Sequence, residues 1–349
     1  MALRSTLSRA LERGTQFLVA RQGGDGLWRD FRTSAGEASH WPTGFVGAVL
    51  HRARVVEDSV LERAASALSA AQHADGGWSY NESVPSDADS TACALLFLSR
   101  WGQRANERDC ERAAACLRLH QHGQSGGIAT FADPGPIRRF MGIGWWMRFG
   151  GWCQPHIEVT AMAGRAWNAS LPDKGSAELQ SAWRFVRALQ CPDGSWNSYW
   201  WTSCHYATSQ AVELALLMGD GNAVQRAGEW AIRAQSADGS WGSSGAPISA
   251  FATALCVSIL VHANSNLAAI ERAVARLAAL QDADGGWPAH PIMRIPLPSD
   301  RDPDRPRRRW LVRLGRGIVV QDQHRSFTTA VCIAALARYR DMGRMPTQD

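Results

Sequence analysis

The chain has 349 residues, of which 45% are hydrophobic and 20% charged, so a folded protein with a sizeable core is expected and a disordered one is excluded. The net charge of +5 is concentrated at positions 294–316, where eight arginines accompany three aspartates (8 − 3 = +5). The rest of the chain is therefore about neutral, which argues against a general nucleic-acid-binding protein.

The first predicted element is an amphipathic helix over residues 3–20, whose apolar positions at helical spacing are interrupted by charged residues. Those charges distinguish it from a signal peptide. The chain has no window with the ~18 uninterrupted apolar residues of a membrane span. Its eight cysteines are scattered without a CxxC pair, so neither a disulfide framework nor a structural zinc site is expected. We expect a cytoplasmic protein.

A repeated pattern, Gln-x-x-Asp-Gly-x-Trp, begins directly after this helix. It occurs at residues 22–28, 72–78, 190–196, 235–241 and 281–287, and a degenerate sixth copy at 121–127 has Ile128 where Trp is expected. The spacings from Gln to Gln are 50, 49, 69, 45 and 46 residues. Spacings of this size are typical of an array of one supersecondary unit. The sixteen tryptophans of the chain indicate such repeats, an aromatic-lined cavity, or both.

Each unit pairs two helices of different character. A charged amphipathic helix precedes the Gln, as at 60–71, 177–189, 224–234 and 270–280. After an Asp-Gly turn and a loop, a more apolar helix follows, at 45–50, 91–98, 159–167, 208–218, 251–261 and 327–337. Polar helices that alternate with apolar ones suggest an outer ring around an inner ring. The prediction is an all-α protein, a single (α/α)6 barrel of six helix pairs over residues 1–349.

Residues 84–92, in the second unit, place two carboxylates, Asp87 and Asp89, where a proline-containing loop enters an apolar helix. Asp87 or Ser86 also fits the simpler role of a helix N-cap. If both carboxylates face one cavity, they cannot easily ionise together, so one stays protonated near neutral pH and can donate a proton. Both interpretations are open on these residues alone.

The repeats and the acidic stretch together resemble the class II terpene cyclases. The repeat is similar to the QW motif of squalene–hopene and oxidosqualene cyclases, and the stretch is similar to their Asp-x-Asp-Asp-Thr-Ala. The resemblance covers nearly the whole chain. Because there is room for one barrel rather than two, the chain is more like the single-domain class II cyclases of prenylated aromatic (meroterpenoid) substrates. The resemblance implies that the repeat Gln and Trp residues fasten neighbouring helices.

The resemblance implies that Asp89 is the general acid and that Asp87 matches the first Asp of the motif. Ser90 stands where the third Asp is found in many members, although oxidosqualene cyclases also lack that Asp. Fewer carboxylates give less mutual elevation of the pKa.

The long insertion before the third Trp-containing unit carries the stretch 145–152, with Trp145 and Trp146, which we expect in the cavity wall or in a lid. Aromatic faces there would stabilise a carbocation, which water would quench. Trp78 and Phe327 are also candidate substrate contacts.

Residues 154–162 resemble the Asp-Val-Thr helix start of the family, with Glu158 in place of Asp. Glu158 fits a substrate contact and equally a charge on the helix dipole. Met162 stands where bacterial cyclases have a His that pairs with the acid, and is taken as a substrate contact. His156, His205 and Tyr206 are candidates for that missing activating group.

Residues 193–206 resemble the family segment that follows a QW motif. The resemblance implies that Trp200 lines the cavity and that Tyr206 supports proton relay through water as a catalytic residue. Trp201 is expected to be a packing residue. His205 is a candidate contact near the acid, with a helix-start residue as the alternative.

The segment 291–317 is predicted to be a basic, proline- and arginine-rich insertion. It fits a solvated loop. It also fits a cavity mouth that binds an anionic head group (carboxylate or diphosphate), or that rests on anionic lipid. The Asp/Glu-rich Mg²⁺ site of ionising terpene synthases is not visible.

The function expected from the resemblance is protonation-initiated cyclisation. Asp89 would protonate an alkene or epoxide of a prenyl chain, with an isoprenoid small molecule as partner and with no metal or organic cofactor. Two alternatives remain. One is a zinc-dependent, prenyltransferase-like β subunit, for which Cys204, His205 and His324 are available. The other is a non-catalytic isoprenoid-binding barrel.

Overall fold

The computed structural model describes residues 2–102, 106–170, 177–242, 248–305 and 317–342. Within these ranges it contains thirteen helices and four short strands, which confirms the all-α class. The helices are α1 (Ala2–Arg21), α2 (His40–Ala53), α3 (Asp58–Ala70), α4 (Ala88–Trp101), α5 (Glu107–Leu119), α6 (Pro134–Phe140), α7 (Ile157–Ser170), α8 (Ala177–Ala188), α9 (His205–Leu217), α10 (Gly221–Arg233), α11 (Ala250–His262), α12 (Leu267–Ala279) and α13 (Ser326–Met342).

The long helices form two layers. The inner helices α2, α4, α7, α9, α11 and α13 contact one another in this order, and α13 contacts α2 in turn, so the contacts form a cycle. The outer helices α1, α3, α5, α8, α10 and α12 pack against them from outside. Burial follows this division, because α11 is buried continuously over 250–260, whereas α12 buries only a stripe of positions three or four residues apart.

Each repeat Gln fastens its unit to the next outer helix. The Gln22 side-chain amide donates to the Gly26 carbonyl in its own turn (2.9 Å) and to the Val60 carbonyl in α3 (3.0 Å). The same two bonds recur in the other five repeats, including the degenerate one at Gln121. In the last repeat, Gln281 donates to the Ala10 carbonyl in α1 (2.9 Å). The series of bonds therefore returns to the first helix.

The repeat Trp, or Ile128 in the degenerate repeat, sets the register of each inner helix. Trp78 is fully buried; its Nε1 donates to the Leu68 carbonyl (2.7 Å) and its backbone N–H donates to Thr91 Oγ1 (3.0 Å) in the first turn of α4. Every inner helix has such a Thr, and the corresponding backbone N–H bonds run to Thr43, Thr91, Thr160, Thr208, Thr253 and Thr329. The second residues of the six helices therefore lie at one level of the ring; they are Trp41, Asp89, Glu158, Tyr206, Phe251 and Phe327.

The turn of each repeat has a backbone position that only glycine fits. Gly194 has φ +99°, and a Cβ there would lie 2.2 Å from the Arg226 carbonyl oxygen in α10. Only a residue without a side chain lets the turn approach the next outer helix this closely.

Two short antiparallel hairpins, which the sequence did not predict, lie at the end of the ring where the inner helices begin. Strand β1 (Asp30–Thr33) pairs with β2 (Gly36–Ala38), and β3 (Met293–Ile295) pairs with β4 (Ile318–Val320). Strand β3 lies near the start of the basic insertion, and β4 follows its end. Residues 306–316 of the insertion, with five of its eight arginines, lie outside the described ranges. That one domain spans residues 1–349 stays a prediction.

Candidate active site

A cavity of about 370 Å³ opens at the end of the ring where the inner helices begin. Its floor holds Asp87, Asp89 and Ser90, and apolar and aromatic side chains from several loops and from α2 and α6 form its walls. Residues 295–298 and 317, near the two ends of the basic insertion, and residue 318, just beyond it, line its mouth. The tryptophan and other aromatic wall residues are Trp41, Tyr80, Phe131, Phe140, Trp152, Trp200 and Trp201. This volume is in the range of ligand-binding pockets, and the apolar wall suits a hydrocarbon chain.

Asp89 lies in the first turn of α4 and points into this cavity. Its Oδ1 is buried and makes no hydrogen bond with any described residue. Burial raises the pKa of Asp89 well above its ordinary value of 3.8, and the nearby carboxyls of Asp87 and Glu158 raise it further. The raised pKa favours the protonated form of the carboxyl near neutral pH. A protonated carboxyl in this position can donate its proton to a molecule in the cavity.

Asp87 is the N-cap of α4. Its Oδ1 accepts from the Ser90 backbone N–H (2.8 Å), and its Oδ2 accepts from the Ser90 hydroxyl (2.7 Å). Burial raises the pKa of Asp87 to about 6, against the lowering effect of these bonds. Near neutral pH Asp87 is thus mostly ionised beside a protonated Asp89. The two carboxyls have different environments and different protonation states, which is the pattern of a paired acid site.

Glu158 lies one inner helix away from Asp89, at the same level. Its Oε1 accepts from the backbone N–H groups of Tyr199 (2.7 Å) and Trp200 (2.8 Å), so it fixes the loop that carries Trp200. Its Oε2 is buried without a described partner, and burial raises the pKa of Glu158. Glu158 does not line the cavity; it holds part of the cavity wall and acts on Asp89 through its charge.

Trp200 forms one wall of the cavity and is held by a polar network. Its Nε1 donates to Thr130 Oγ1 (2.8 Å), and Thr130 Oγ1 lies 2.9 Å from His156 Nδ1. His156 is fully buried, its Nε2 lies 2.9 Å from the Gly151 carbonyl, and burial lowers its pKa to about 3. A neutral His156 therefore orients Trp200 and does not pair with Asp89.

Tyr206 is fully buried beneath the floor, stacked on Trp201 at a centroid distance of 4.1 Å. Its hydroxyl has no hydrogen-bond partner among the described residues. Burial raises the pKa of Tyr206 well above its ordinary value, and the charge of Asp89 raises it further. Tyr206 therefore stays protonated and is close enough to Asp89 to interact with it electrostatically.

Arg294 carries a positive charge beside the Trp200 loop, and its guanidinium is already engaged. Its Nε donates to the Tyr199 carbonyl (2.9 Å), its Nη2 donates to the Ser198 carbonyl (2.5 Å), and it forms an ion pair with Asp304 (2.5 Å). The side chain is 14% exposed. Arg294 thus ties the basic segment to the cavity wall.

Several predicted contacts lie away from the cavity. Trp78 is packed between helices, and Met162 lies below the floor with its Sδ 3.8 Å from Arg165 Nη1. His205 packs on Trp230 of an outer helix, and burial lowers its pKa to about 4. The structure thus favours the helix-start interpretation for His205.

The exposed and the buried aromatic candidates also differ from expectation. Trp145 and Trp146 are 83% and 71% exposed and do not form the wall. Phe327 is fully buried beneath the floor and packs against Trp41 at a centroid distance of 4.9 Å. It supports a wall residue without lining the cavity itself.

Trp41, Phe131 and Tyr80 line the wall without having been predicted from the sequence, and Trp152 was predicted only as part of the stretch 145–152. Trp201 was assigned to packing. Trp201 both lines the cavity and stacks on Phe327 and Phe251, at centroid distances of 5.2 and 5.3 Å. One signal was present for Trp41, since it precedes the register-setting Thr43 by two residues, as Asp89 precedes Thr91. The other residues come from loops, whose path the repeat does not determine.

In the described part of the chain, no group of three or more His, Cys, Asp or Glu side chains is arranged to hold a metal ion. His324, one of the candidate zinc ligands, lies 3.1 Å from Glu37 instead. No helix among the described residues is long and apolar enough to cross a bilayer.

Comparison with solved structures finds type II terpene cyclases. MstE from Scytonema, in a complex with geranylgeranyl dihydroxybenzoate, is 26% identical, with a TM-score of 0.87 over 98% of this chain and 99% of that chain. MstE in a complex with the product merosterolic acid A is 28% identical, with a TM-score of 0.85 and the same coverage.

Curated relatives point the same way. Drimenyl diphosphate synthase from Streptomyces showdoensis is 29% identical over 247 residues, which are 67% of this chain and 42% of that protein. Squalene–hopene cyclase from Bradyrhizobium diazoefficiens is 25% identical over 236 residues, 61% of this chain and 36% of that protein. The chain thus spans about two fifths of the length of the relatives it matches. No protein-family model matches it.

Proposed function

We propose that this chain, which shares its fold with the type II terpene cyclases, is a protonation-initiated terpenoid cyclase with Asp89 as the general acid. The observation that carries the proposal is the state of Asp89: a buried carboxyl without a hydrogen-bond partner for Oδ1, with a raised pKa, in the floor of an apolar cavity walled by tryptophans. A prenyl chain in that cavity places an alkene carbon against this protonated carboxyl.

In the proposed reaction Asp89 transfers its carboxyl proton to an alkene or epoxide at the end of the prenyl chain. The alkene π electrons form the new C–H bond, and the resulting cation is attacked by the next double bond, which closes a ring. The faces of Trp41, Trp200 and Trp201 stabilise the moving positive charge, and the dry wall keeps water away from it. Loss of a proton to a base ends the sequence, so the product is an isomer of the substrate.

Asp87 and Tyr206 complete the acid site in this proposal. Ionised Asp87 disfavours a second negative charge and so keeps Asp89 protonated before reaction. After transfer, Asp89 must regain a proton, and the unpartnered Tyr206 hydroxyl, together with water, is suited to that relay. Asp87 and Tyr206 are therefore positioning and relay groups, and only Asp89 touches the reacting alkene.

The substrate class that best fits is a prenyl chain on an aromatic acid, because MstE, the structural neighbour over the whole chain, binds geranylgeranyl dihydroxybenzoate. Isoprenyl diphosphates are the second candidate, given the likeness to drimenyl diphosphate synthase. The zinc-dependent transferase alternative has no ligand cluster in the described residues to support it.

The test is incubation of the protein in D2O with geranylgeranyl dihydroxybenzoate and, separately, with farnesyl diphosphate. We expect a product that is isomeric with one substrate apart from one deuterium at a former alkene carbon, and no product with Asp89→Asn. Normal cyclisation by Asp89→Asn would refute the assignment of the acid. A tightly bound but unchanged substrate would favour the non-catalytic barrel.

We also propose that the cavity mouth rests on a membrane surface, from which an apolar substrate can pass into the cavity. Trp145 and Trp146 are exposed, and so are Phe140 and Met141, which also line the mouth. Exposed tryptophans beside arginines are typical of interfacial membrane contacts. Replacing both Trp145 and Trp146 by Ala should abolish co-sedimentation with anionic vesicles, whereas Leu119→Ala, another exposed apolar residue, should not. Equal sedimentation of the three proteins would contradict the contact.

A further inference from the structure

A second, smaller cavity lies at the other end of the ring, where the inner helices end. Its volume is about 60 Å³, and the apolar residues Phe45, Cys93 and Met162 separate it from the acid site. A water needs ~10–15 Å³ of such volume, so this cavity has room for about four waters or for one small oxyanion. We call it the arginine cavity, because Arg52, Arg100, Arg165 and Arg338 line it.

The charges of the arginine cavity do not balance. Its four guanidinium groups face one buried carboxylate, Glu213, which leaves 4 − 1 = +3 before His262 is counted. Glu213 accepts contacts from Arg52 (3.2 Å), Arg165 (3.5 Å), Arg338 and His262 (3.1 Å). Asp341, at the rim, is already paired with Arg340 (2.9 Å), so that pair adds no net charge.

Several guanidinium donors of the arginine cavity are unused. Arg165 is 6% exposed, and its buried Nε has no hydrogen-bond partner among the described residues. The Nε of Arg338 is in the same state. Arg100 is not in a hydrogen bond or an ion pair with the described residues. Burial lowers the pKa of Arg100 to about 10, and repulsion by Arg165 contributes.

A purely structural role does not account for this cluster. Burying an ion costs several kcal/mol even after relaxation, unless an opposite charge compensates it. The carboxyl ends of the inner helices favour cations, but only by about 0.3–1 kcal/mol each. Glu213 neutralises one guanidinium. Burial alone would raise the pKa of Glu213, but the positive charges of Arg338, Arg165 and His262 outweigh this effect and hold its pKa well below the usual value. The remaining charge requires an anion.

We propose that the arginine cavity binds a small phosphate-class oxyanion, held by Arg100, Arg165 and Arg338. Guanidinium groups form paired, charge-assisted bonds with phosphate oxygens, and Arg100, Arg165 and Arg338 all line the cavity. The half-exposed Arg52 side chain at the rim gives the ion a path from solvent. The site is separate from the cyclisation cavity, and the proposal does not depend on the proposed reaction.

The test measures binding rather than catalysis, with inorganic phosphate and diphosphate as probes in a chloride-free buffer. At saturation we expect the melting temperature to rise by about 5 °C, as binding to the folded state alone implies for a chain of this size. Arg100→Gln and Arg165→Gln should remove this shift. Arg9→Gln, an exposed residue of α1, should keep it.

A second variant keeps the proposal falsifiable if the arginine variants fold poorly. Glu213→Gln removes the carboxylate that competes with the anion, so diphosphate should bind about tenfold more tightly. If Glu213 only neutralised the arginines, its loss would destabilise the protein without any gain in anion affinity. Geranyl diphosphate is tested beside diphosphate, and equal affinity would mean that the site accepts a phosphate group carried by an isoprenoid. No response of the wild type to phosphate or diphosphate would overturn the proposal.

Discussion

Replacing Asp89 by Asn should make the protein more stable and inactive at the same time. Folding raises the pKa of Asp89 above its value of 3.8 in the unfolded chain. The protonated carboxyl therefore stabilises the folded state fully below pH 3.8, and this contribution is lost as the pH rises toward the pKa of the folded state. Each pH unit in this window lowers the free energy of unfolding by up to about 1.4 kcal/mol. For Asp87, with a pKa of about 6, the total loss in the free energy of unfolding is about 3 kcal/mol. Asn in place of Asp89 has no such loss.

Urea unfolding from about pH 4.5 to about pH 6.5 measures this difference. The advantage of Asp89→Asn over the wild type should grow with pH, while its cyclisation rate falls by a factor of at least ~10². Glu62→Gln, which makes the same chemical change at an exposed position of α3, should not change the slope of stability with pH. If the curves of Asp89→Asn and the wild type run parallel, Asp89 ionises like an exposed carboxyl, and our account of the acid is wrong.

Three further substitutions test one neighbour of the acid and two contacts of the repeats. Glu158→Gln keeps the oxygen that accepts from Tyr199 and Trp200 but removes a charge, so stability should hold while the basic limb of the rate–pH profile moves to lower pH. Gly194→Ala should cost about 1–3 kcal/mol in urea unfolding, because of φ +99° and the 2.2 Å approach, and Gly123→Ala, with open space around it, is its control. Gln281→Ala should cost about 1–3 kcal/mol by removing the hydrogen bonds to the Ala10 and Gly285 carbonyls, and unfolding measured by tryptophan fluorescence checks it.

The sequence was informative in the six repeated units. Periodicity located the inner and outer helices to within a few residues, because an outer helix has a stripe of apolar residues and an inner helix is apolar on all sides. In the acidic stretch Asp87 caps α4, as one interpretation predicted, and Asp89 Oδ1 has no hydrogen-bond partner among the described residues. The cap therefore does not occupy Asp89, whose role as the acid stays a proposal.

The sequence was less informative about the walls of the cavity. Trp145 and Trp146 are as hydrophobic as Trp200, yet they point to solvent, and nothing in their local pattern distinguishes them. Side chains on loops are directed by long-range contacts, such as the Arg294 bonds to the Ser198 and Tyr199 carbonyls, which join segments 95 and more residues apart. The Thr register would have excluded Met162, which lies one turn deeper than Asp89 and Glu158.

The bond from Gln281 to Ala10 has a consequence for how the chain is made. In the other five repeats the Gln reaches an outer helix 33 to 57 residues farther along, so each unit can dock soon after it leaves the ribosome. Gln281 bonds to a helix 271 residues earlier, so α1 waits for nearly the whole chain before its last partner arrives. Until then the growing arc has two open, apolar ends, at α2 and at the newest inner helix. These ends are where a chaperone would be needed, and where incomplete chains would associate with one another.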